Sequence, residues 1–159
     1  AGVNGVAAGA GANLALSCDI VTATQSANFI QAFCKIGLVP DSGGTYFLPR
    51  LIGLPKATAI MMTGESVSAE KAEQMGMIYA VYEDDEFESK SLELAKSISA
   101  MPTKGLGYTK KLLNHSLNNS LDDQLNLEAE TQALSAKSED HKEGIQAFLE
   151  KRSPIFTGK

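Results

Sequence analysis

An α/β fold is predicted, with short strands, glycine turns and short helices in the first half and longer amphipathic helices in the second. Two observations carry this expectation. Residues 1–64 alternate short apolar runs with glycine-rich turns, and beyond Gly64 the apolar residues recur at helical spacing between capping signals. The expected organisation is therefore a core segment over residues 1–64 and a mainly helical segment over 65–159.

Each element has a local reason. Residues 1–6 read as a short buried strand, Gly9-Ala10-Gly11 as a tight turn, residues 12–17 as a short helix and residues 20–24 as a second strand. A helix over residues 45–52 is closed by Gly53. Pro55 opens the next helix within its first turn, and Gly64 closes it. Ser68 is a candidate N-cap, with Glu70 favourable to the helix dipole and Gly76 just past the end. A strand is expected over 77–82 and a helix over 84–100, with Phe87, Leu92, Leu94 and Ile98 as its apolar residues. Pro102 interrupts that pattern. Leu106, Leu112, Leu113 and Leu117 mark another helix, and Ser120 with Asp123 resembles a capping box that opens a third. The last helix runs over 138–152 with an apolar stripe of Ile145, Phe148 and Leu149. Leucine stripes of this kind call for a partner surface, and an oligomer interface is expected.

Composition narrows the function classes. At 159 residues, 43% hydrophobic and 21% charged, the chain has the make-up of a soluble globular protein. A formal charge of −5 gives no general attraction to nucleic acid or to anionic membranes, so neither is expected as a partner. No apolar run approaches the roughly 20 residues needed to cross a bilayer. Cys18 and Cys34 lack metal-ligand spacing and are expected to be buried free thiols, which suits a reducing cytoplasm. No metal site is expected. The opening Ala1-Gly-Val-Asn-Gly5 has no Met and no polar lead-in, and is expected to lie inside a structural element of a longer protein.

Asp41 is the one acidic residue between Ile20 and Gly64, and it sits among apolar and small residues. A carboxylate isolated in such surroundings is a candidate base, because burial disfavours its charged form. Pro-Asp-Ser-Gly-Gly is also ordinary turn chemistry, and local sequence favours a solvated turn. Gly5-Val-Ala-Ala-Gly-Ala-Gly11 has its close glycine pair at the wrong end for a dinucleotide fingerprint and lacks the Lys-Ser/Thr of a P-loop. What remains is a strand entering a helix through small residues, which leaves N–H groups free for an anion or for close packing.

The stretch Asn4-Gly-Val-Ala-Ala-Gly-Ala-Gly-Ala-Asn-Leu-Ala-Leu-Ser-Cys-Asp19, followed by Gly37-Leu-Val-Pro-Asp-Ser-Gly-Gly-Thr45, resembles the enoyl-CoA hydratase/isomerase (crotonase) superfamily. Leu51-Ile-Gly-Leu-Pro-Lys-Ala57, Met62-Thr-Gly-Glu65, Ser68-Ala-Glu-Lys-Ala72 and Lys142-Glu-Gly-Ile-Gln-Ala-Phe-Leu-Glu-Lys-Arg152 follow in that family's order, so the resemblance spans the chain. Within it, Pro-Asp-Ser-Gly-Gly and the segment 151–159 are most similar to the PaaG-type isomerases of phenylacetate catabolism.

The resemblance implies a crotonase-like ββα spiral core, of which residues 1–64 are the C-terminal part, and a helical trimerisation region over 65–159, giving a homotrimer or hexamer. It implies an acyl-CoA thioester substrate and no separate cofactor, coenzyme A being part of the substrate. It assigns one oxyanion-hole N–H to Ala10 and the other to an earlier segment. Hydratases of the family use two glutamates, and Asn13 and Phe33 stand at those positions, where neither is a carboxylate base. Asp41 matches the position of the isomerases' carboxylate, which reverses the turn reading. Asn13, Phe33 and Leu38 are expected around the acyl group, and Phe148 and Lys151 are expected to reach the ligand of a neighbouring subunit. The implied activity is double-bond or ring-epoxide/oxepin isomerisation by a proton shuttle. A water-adding or hydrolytic relative and a non-catalytic acyl-CoA-binding protein are the alternatives. His115 and His141 are expected on the surface or in structural roles.

Overall fold

A computed structural model describes residues 1–159 and divides them into two units, Ala1–Leu92 and Glu93–Lys159. In the first unit the chain lays its strands into two three-stranded sheets. β1 (Gly2–Val3), β3 (Thr22–Thr24) and β6 (Ala80–Tyr82) form a parallel sheet in the order β1-β3-β6. β2 (Val6–Ala8), β4 (Asn28–Ile30) and β5 (Ser66–Ser68) form the other, with β2 parallel and β5 antiparallel to β4. The strand expected over residues 1–6 is thus two strands in different sheets. The chain turns between them at Asn4-Gly5, residue types suited to a corner.

Helices cover these short strands. α1 (Ala10–Leu16) buries Ala12, Asn13 and Leu16. A 3-10 helix, Ala32–Ile36, precedes α2 (Gly44–Ile52), whose Gly44, Leu48 and Ile52 repeat every four residues and form its buried face. Gly53, with φ +80°, separates α2 from α3 (Leu54–Thr63), and Pro55 stands in the first turn of α3. Gly64 ends α3 in the left-handed conformation expected of it. α4 (Ala69–Gln74) is capped by Ser68, whose Oγ accepts from Lys71 N–H at 3.3 Å. The core gathers Phe29, Leu48, Val67 and Met77 with several alanines, which let helices approach the strands closely. Burying Phe29 alone is worth about 1.5–3 kcal/mol.

Two expectations are corrected here. The division after residue 64 falls inside the first unit, because β5 pairs with β4 and β6 with β3. Cys18 and Cys34 are exposed free thiols. Cys18 lies in the turn after α1, and the 3-10 helix turns Phe33 inward and Cys34 outward.

α5 (Phe87–Ser99) carries the boundary between the units. The second unit continues with α6 (Thr103–Ser116), α7 (Leu121–Ser135) and α8 (Glu139–Glu150). Ser120 and Asp123 form the expected cap: Ser120 Oγ accepts from Asp123 N–H at 3.2 Å and donates to the Asp123 carboxylate at 2.6 Å. Ser138 caps α8 in the same manner, accepting from His141 N–H.

This unit buries few apolar side chains. The stripe of Ile145, Phe148 and Leu149 is exposed, while Asp140 is only 3% exposed. Asp140 accepts from the N–H groups of Thr157 at 2.7 Å and Gly158 at 2.9 Å, so the residues after α8 run back along it. Arg152 grips Glu143 through two nitrogens at 2.6 and 2.9 Å, and Ile155 N–H donates to the same carboxylate at 2.8 Å.

The Arg152 guanidinium and the Ile155 N–H beside Glu143 hold its carboxyl down at about 2, from an ordinary 4.5. Because the folded value is depressed, the contribution of this clamp is complete above about 4.5 and lost as pH falls towards 2. We expect a Glu143 carboxyl titration by NMR with a midpoint near 2, the Ile155 amide shift following it, and return towards 4.5 in Arg152→Met.

Candidate functional site

Two of the residues singled out in the first unit, Ala10 and Asn13, lie on α1. Gly9 leaves β2 with φ +54° and ψ −124°, a conformation suited to glycine, and its N–H donates to Ile30 O at 2.8 Å. Ala10 is the first residue of α1, so its N–H has no partner inside the helix. Phe33 is buried, and its ring closes on Gly9: a Cβ built there would lie 3.6 Å from the ring. Phe33 therefore walls the turn from which Ala10 emerges.

Asn13, one turn along α1 from Ala10, is fully buried. Its Nδ2 donates to the backbone carbonyl of Asp41 at 2.9 Å, and its Oδ1 accepts from Gln31 Nε2 at 2.7 Å. Gly44 N–H donates to the same Asp41 carbonyl at 2.9 Å. That oxygen thus takes two hydrogen bonds, one from the helix behind it and one from the turn ahead. Between them Ser42 and Gly43 are both left-handed, with φ +49° and +77°. Holding a serine there costs on the order of 1 kcal/mol, and this bracing offsets it.

The Asp41 side chain takes no part in that brace and is exposed, with Ser42 Oγ donating to its Oδ1 at 3.0 Å. This corrects the picture of a carboxylate isolated by burial: its apolar neighbours Leu38 and Val39 are themselves 59% and 81% exposed, so they leave it wet. Asn13 is thus joined to the Asp41 backbone and the Phe33 ring lies against Gly9, the residue before Ala10, with Leu38 on the loop leading to Asp41.

Phe148 and Lys151 belong to the second unit. Phe148, 83% exposed, lines an apolar hollow of about 400 Å³ with Ile145, Leu149 and Phe156. Lys151 ends α8 with φ +55°. No group of three or more His, Cys, Asp or Glu side chains is gathered as a metal site, and no helix is long and apolar enough to cross a membrane.

Two participants escaped the sequence reading. Gln31 is the amide in the run Phe29-Ile-Gln-Ala-Phe33, and a buried polar residue inside an apolar run was the signal available for it. Ser42 stands in the turn sequence Pro-Asp-Ser-Gly-Gly, which carries no signal of its bond to Asp41.

The family model described as Enoyl-CoA hydratase/isomerase matches residues 1–159. The chain is 50% identical to 1,2-epoxyphenylacetyl-CoA isomerase of Escherichia coli K12, over 99% of this chain and 60% of that protein. It is 38% identical to 2,3-dehydroadipyl-CoA hydratase of the same organism, over 100% of this chain and 62% of the relative. The crystal structure of an enoyl-CoA hydratase/isomerase from Cupriavidus metallidurans CH34 superposes with a TM-score of 0.91 at 36% identity, covering 99% of this chain and 60% of that one. The chain therefore spans about 60% of the length of such relatives.

A Cβ at position 44 would lie 2.3 Å from Asn13 Nδ2. Gly44→Ala should destabilise the fold by ~1–3 kcal/mol, seen as a lower denaturation midpoint. Combined with Asn13→Ala, the loss should be smaller than the sum of the two single changes, because the clash and the amide that makes it are removed together.

Proposed function

The chain belongs to the enoyl-CoA hydratase/isomerase family, and from that premise we propose that it takes part in isomerising an acyl-CoA thioester by a proton shuttle on Asp41. The observation that carries this reading is the pairing of a braced Asp41 with Asn13 and Phe33. The two positions where the hydratases of the family have glutamates hold a buried amide committed to hydrogen bonds and a buried ring. One carboxylate suits moving a proton, whereas adding water calls for a second positioned group.

In the proposed reaction the Asp41 carboxylate removes a proton from the carbon next to an alkene or strained ring. The C–H electron pair moves into a new C=C bond and the thioester oxygen becomes an enolate. Ala10 N–H donates to that oxygen, and the family resemblance assigns a second donor to an earlier segment. The enolate electrons then return to carbon at another position, which takes the same proton back from the Asp41 carboxyl. Removing one oxyanion donor typically costs about 2.7–4 kcal/mol, so Ala10 supplies a major part of the stabilisation and needs its companion.

Phe33 keeps water from the turn at Gly9, and Leu38 offers apolar contact to the acyl group. Coenzyme A enters as part of the substrate. The exposed apolar faces of the second unit support a homotrimer or hexamer, in which Phe148 and Lys151 of one subunit reach the ligand of the next. The finer readings, epoxide-to-oxepin or enoyl double-bond isomerisation, follow the 1,2-epoxyphenylacetyl-CoA isomerase likeness.

With the full polypeptide, Asp41→Asn should lower isomerisation and solvent-deuterium incorporation together by roughly 10²–10⁴-fold while thioester binding survives. Retained turnover overturns the assignment of Asp41. A 3-hydroxyacyl product from a 2-enoyl thioester identifies a hydratase instead, and binding without exchange by the unaltered protein identifies a binding protein.

A further inference from the structure

Gln31 is 1% exposed, and its Oε1 is a buried polar side-chain atom with no hydrogen-bond partner. A side chain needed only to fill that space would be apolar, since an unpaired buried acceptor is destabilising. Its other end explains its presence. The Asp41 carbonyl can only accept, so Asn13 must turn its NH2 group towards it. The Asn13 oxygen then faces Gln31 and requires a donor, which fixes the NH2 of Gln31 inward and leaves Oε1 as the unpaired end of the chain. The three groups form a directed relay from Gln31 through Asn13 to the backbone of Asp41. Neither amide can flip without setting oxygen against oxygen.

We propose that Gln31 is a positioning residue that sets, through Asn13, the location of the Asp41 loop and hence of the Asp41 carboxylate. The relay bonds to the main chain of Asp41 and leaves its carboxylate untouched, so it governs where the carboxylate stands relative to the Ala10 turn. The loop has reason to drift without it, because Ser42 is a non-glycine residue held at φ +49°. Gly44 preserves the space in which the relay sits, since any Cβ there would overlap the Asn13 amide. A displacement of about 1 Å in a reacting group can cost on the order of 10²-fold in rate.

The kinetic arm of the test rests on the proton-shuttle reading above, and a structural arm does not. Gln31→Glu keeps the shape and, in the alkaline range where even this buried carboxyl ionises and where the comparisons are made, reverses the polarity: the carboxylate can only accept, so Asn13 turns its NH2 to it and presents its oxygen to Asp41. In the full polypeptide with an enoyl-CoA thioester, kcat should fall about 10–100-fold with KM within about threefold. The ratio to the unaltered protein should recover as pH falls and the introduced carboxyl becomes a donor. Gln31→Met removes the donor without reversing anything and should lose less; it also decides the matter if the charged variant fails to fold.

A kcat within about twofold of the original in both variants, or a loss confined to KM, overturns the proposal. Amide hydrogen exchange at Gly44, whose N–H shares the Asp41 carbonyl, is the structural arm. Exchange should be faster in Gln31→Glu than in the unaltered protein, and unchanged exchange overturns the relay. If the unaltered protein turns over no thioester, the proton-shuttle reading fails while exchange at Gly44 still decides the relay.

Discussion

One carbonyl oxygen, that of Asp41, organises the candidate site. It takes hydrogen bonds from Asn13 on α1 and from Gly44 at the start of α2, so the loop between the 3-10 helix and α2 is tied at both sides to packed helices. Much of the local sequence follows from that constraint. Gly44 must lack a side chain because the Asn13 amide occupies its place, and the turn from Asp41 into α2 is tight enough to need two successive left-handed residues. The bonds also set a division of labour: the main chain of Asp41 holds position while its side chain stays free for contact, steadied by Ser42 Oγ.

The two units reach order by different means. The first has a hydrophobic core in which Phe29, Leu48 and Val67 are almost wholly removed from water, and its strands of two or three residues depend on that packing. The second is held by serine caps, the Arg152 clamp on Glu143 and the buried Asp140 carboxylate that ties down Thr157 and Gly158. Such polar ties define local geometry while contributing modest net stability. Leucines and Phe148 remain exposed across its helices, which leaves apolar area available to a further surface.

What the sequence made legible was largely punctuation. Gly53, Pro55, Gly64, Ser68 and Ser120 act through their own backbone preferences or through partners three residues away, so they stand where local chemistry puts them. β4 and β5 were not foreseen: each is three residues long, and they are defined by pairing with each other across more than thirty intervening positions. Cys34 is exposed, contrary to expectation, because an apolar run says nothing of which way a 3-10 helix faces. Family resemblance points to Ala10, Asn13, Phe33 and Asp41 as candidates, but the bond between Asn13 and the Asp41 backbone is a long-range contact that residue identity alone does not disclose.

For the proposed proton transfer, what covers Asp41 decides how strong a base it is. A carboxylate in water is a weak base, and the proton to be moved is bound to carbon. Residues 1–159 by themselves leave this carboxylate in water, with Leu38 and Val39 beside it exposed too. An acyl group that covered those two side chains would exclude water from Asp41 at the same moment, and loss of water raises the basicity of a carboxylate. The apolar part of the substrate would then do more than anchor the molecule: its contact with the loop would create the base. On this argument the braced backbone and the exposed carboxylate are complementary, since a fixed loop lets the energy of covering Leu38 and Val39 act on Asp41 instead of being lost in rearranging the chain.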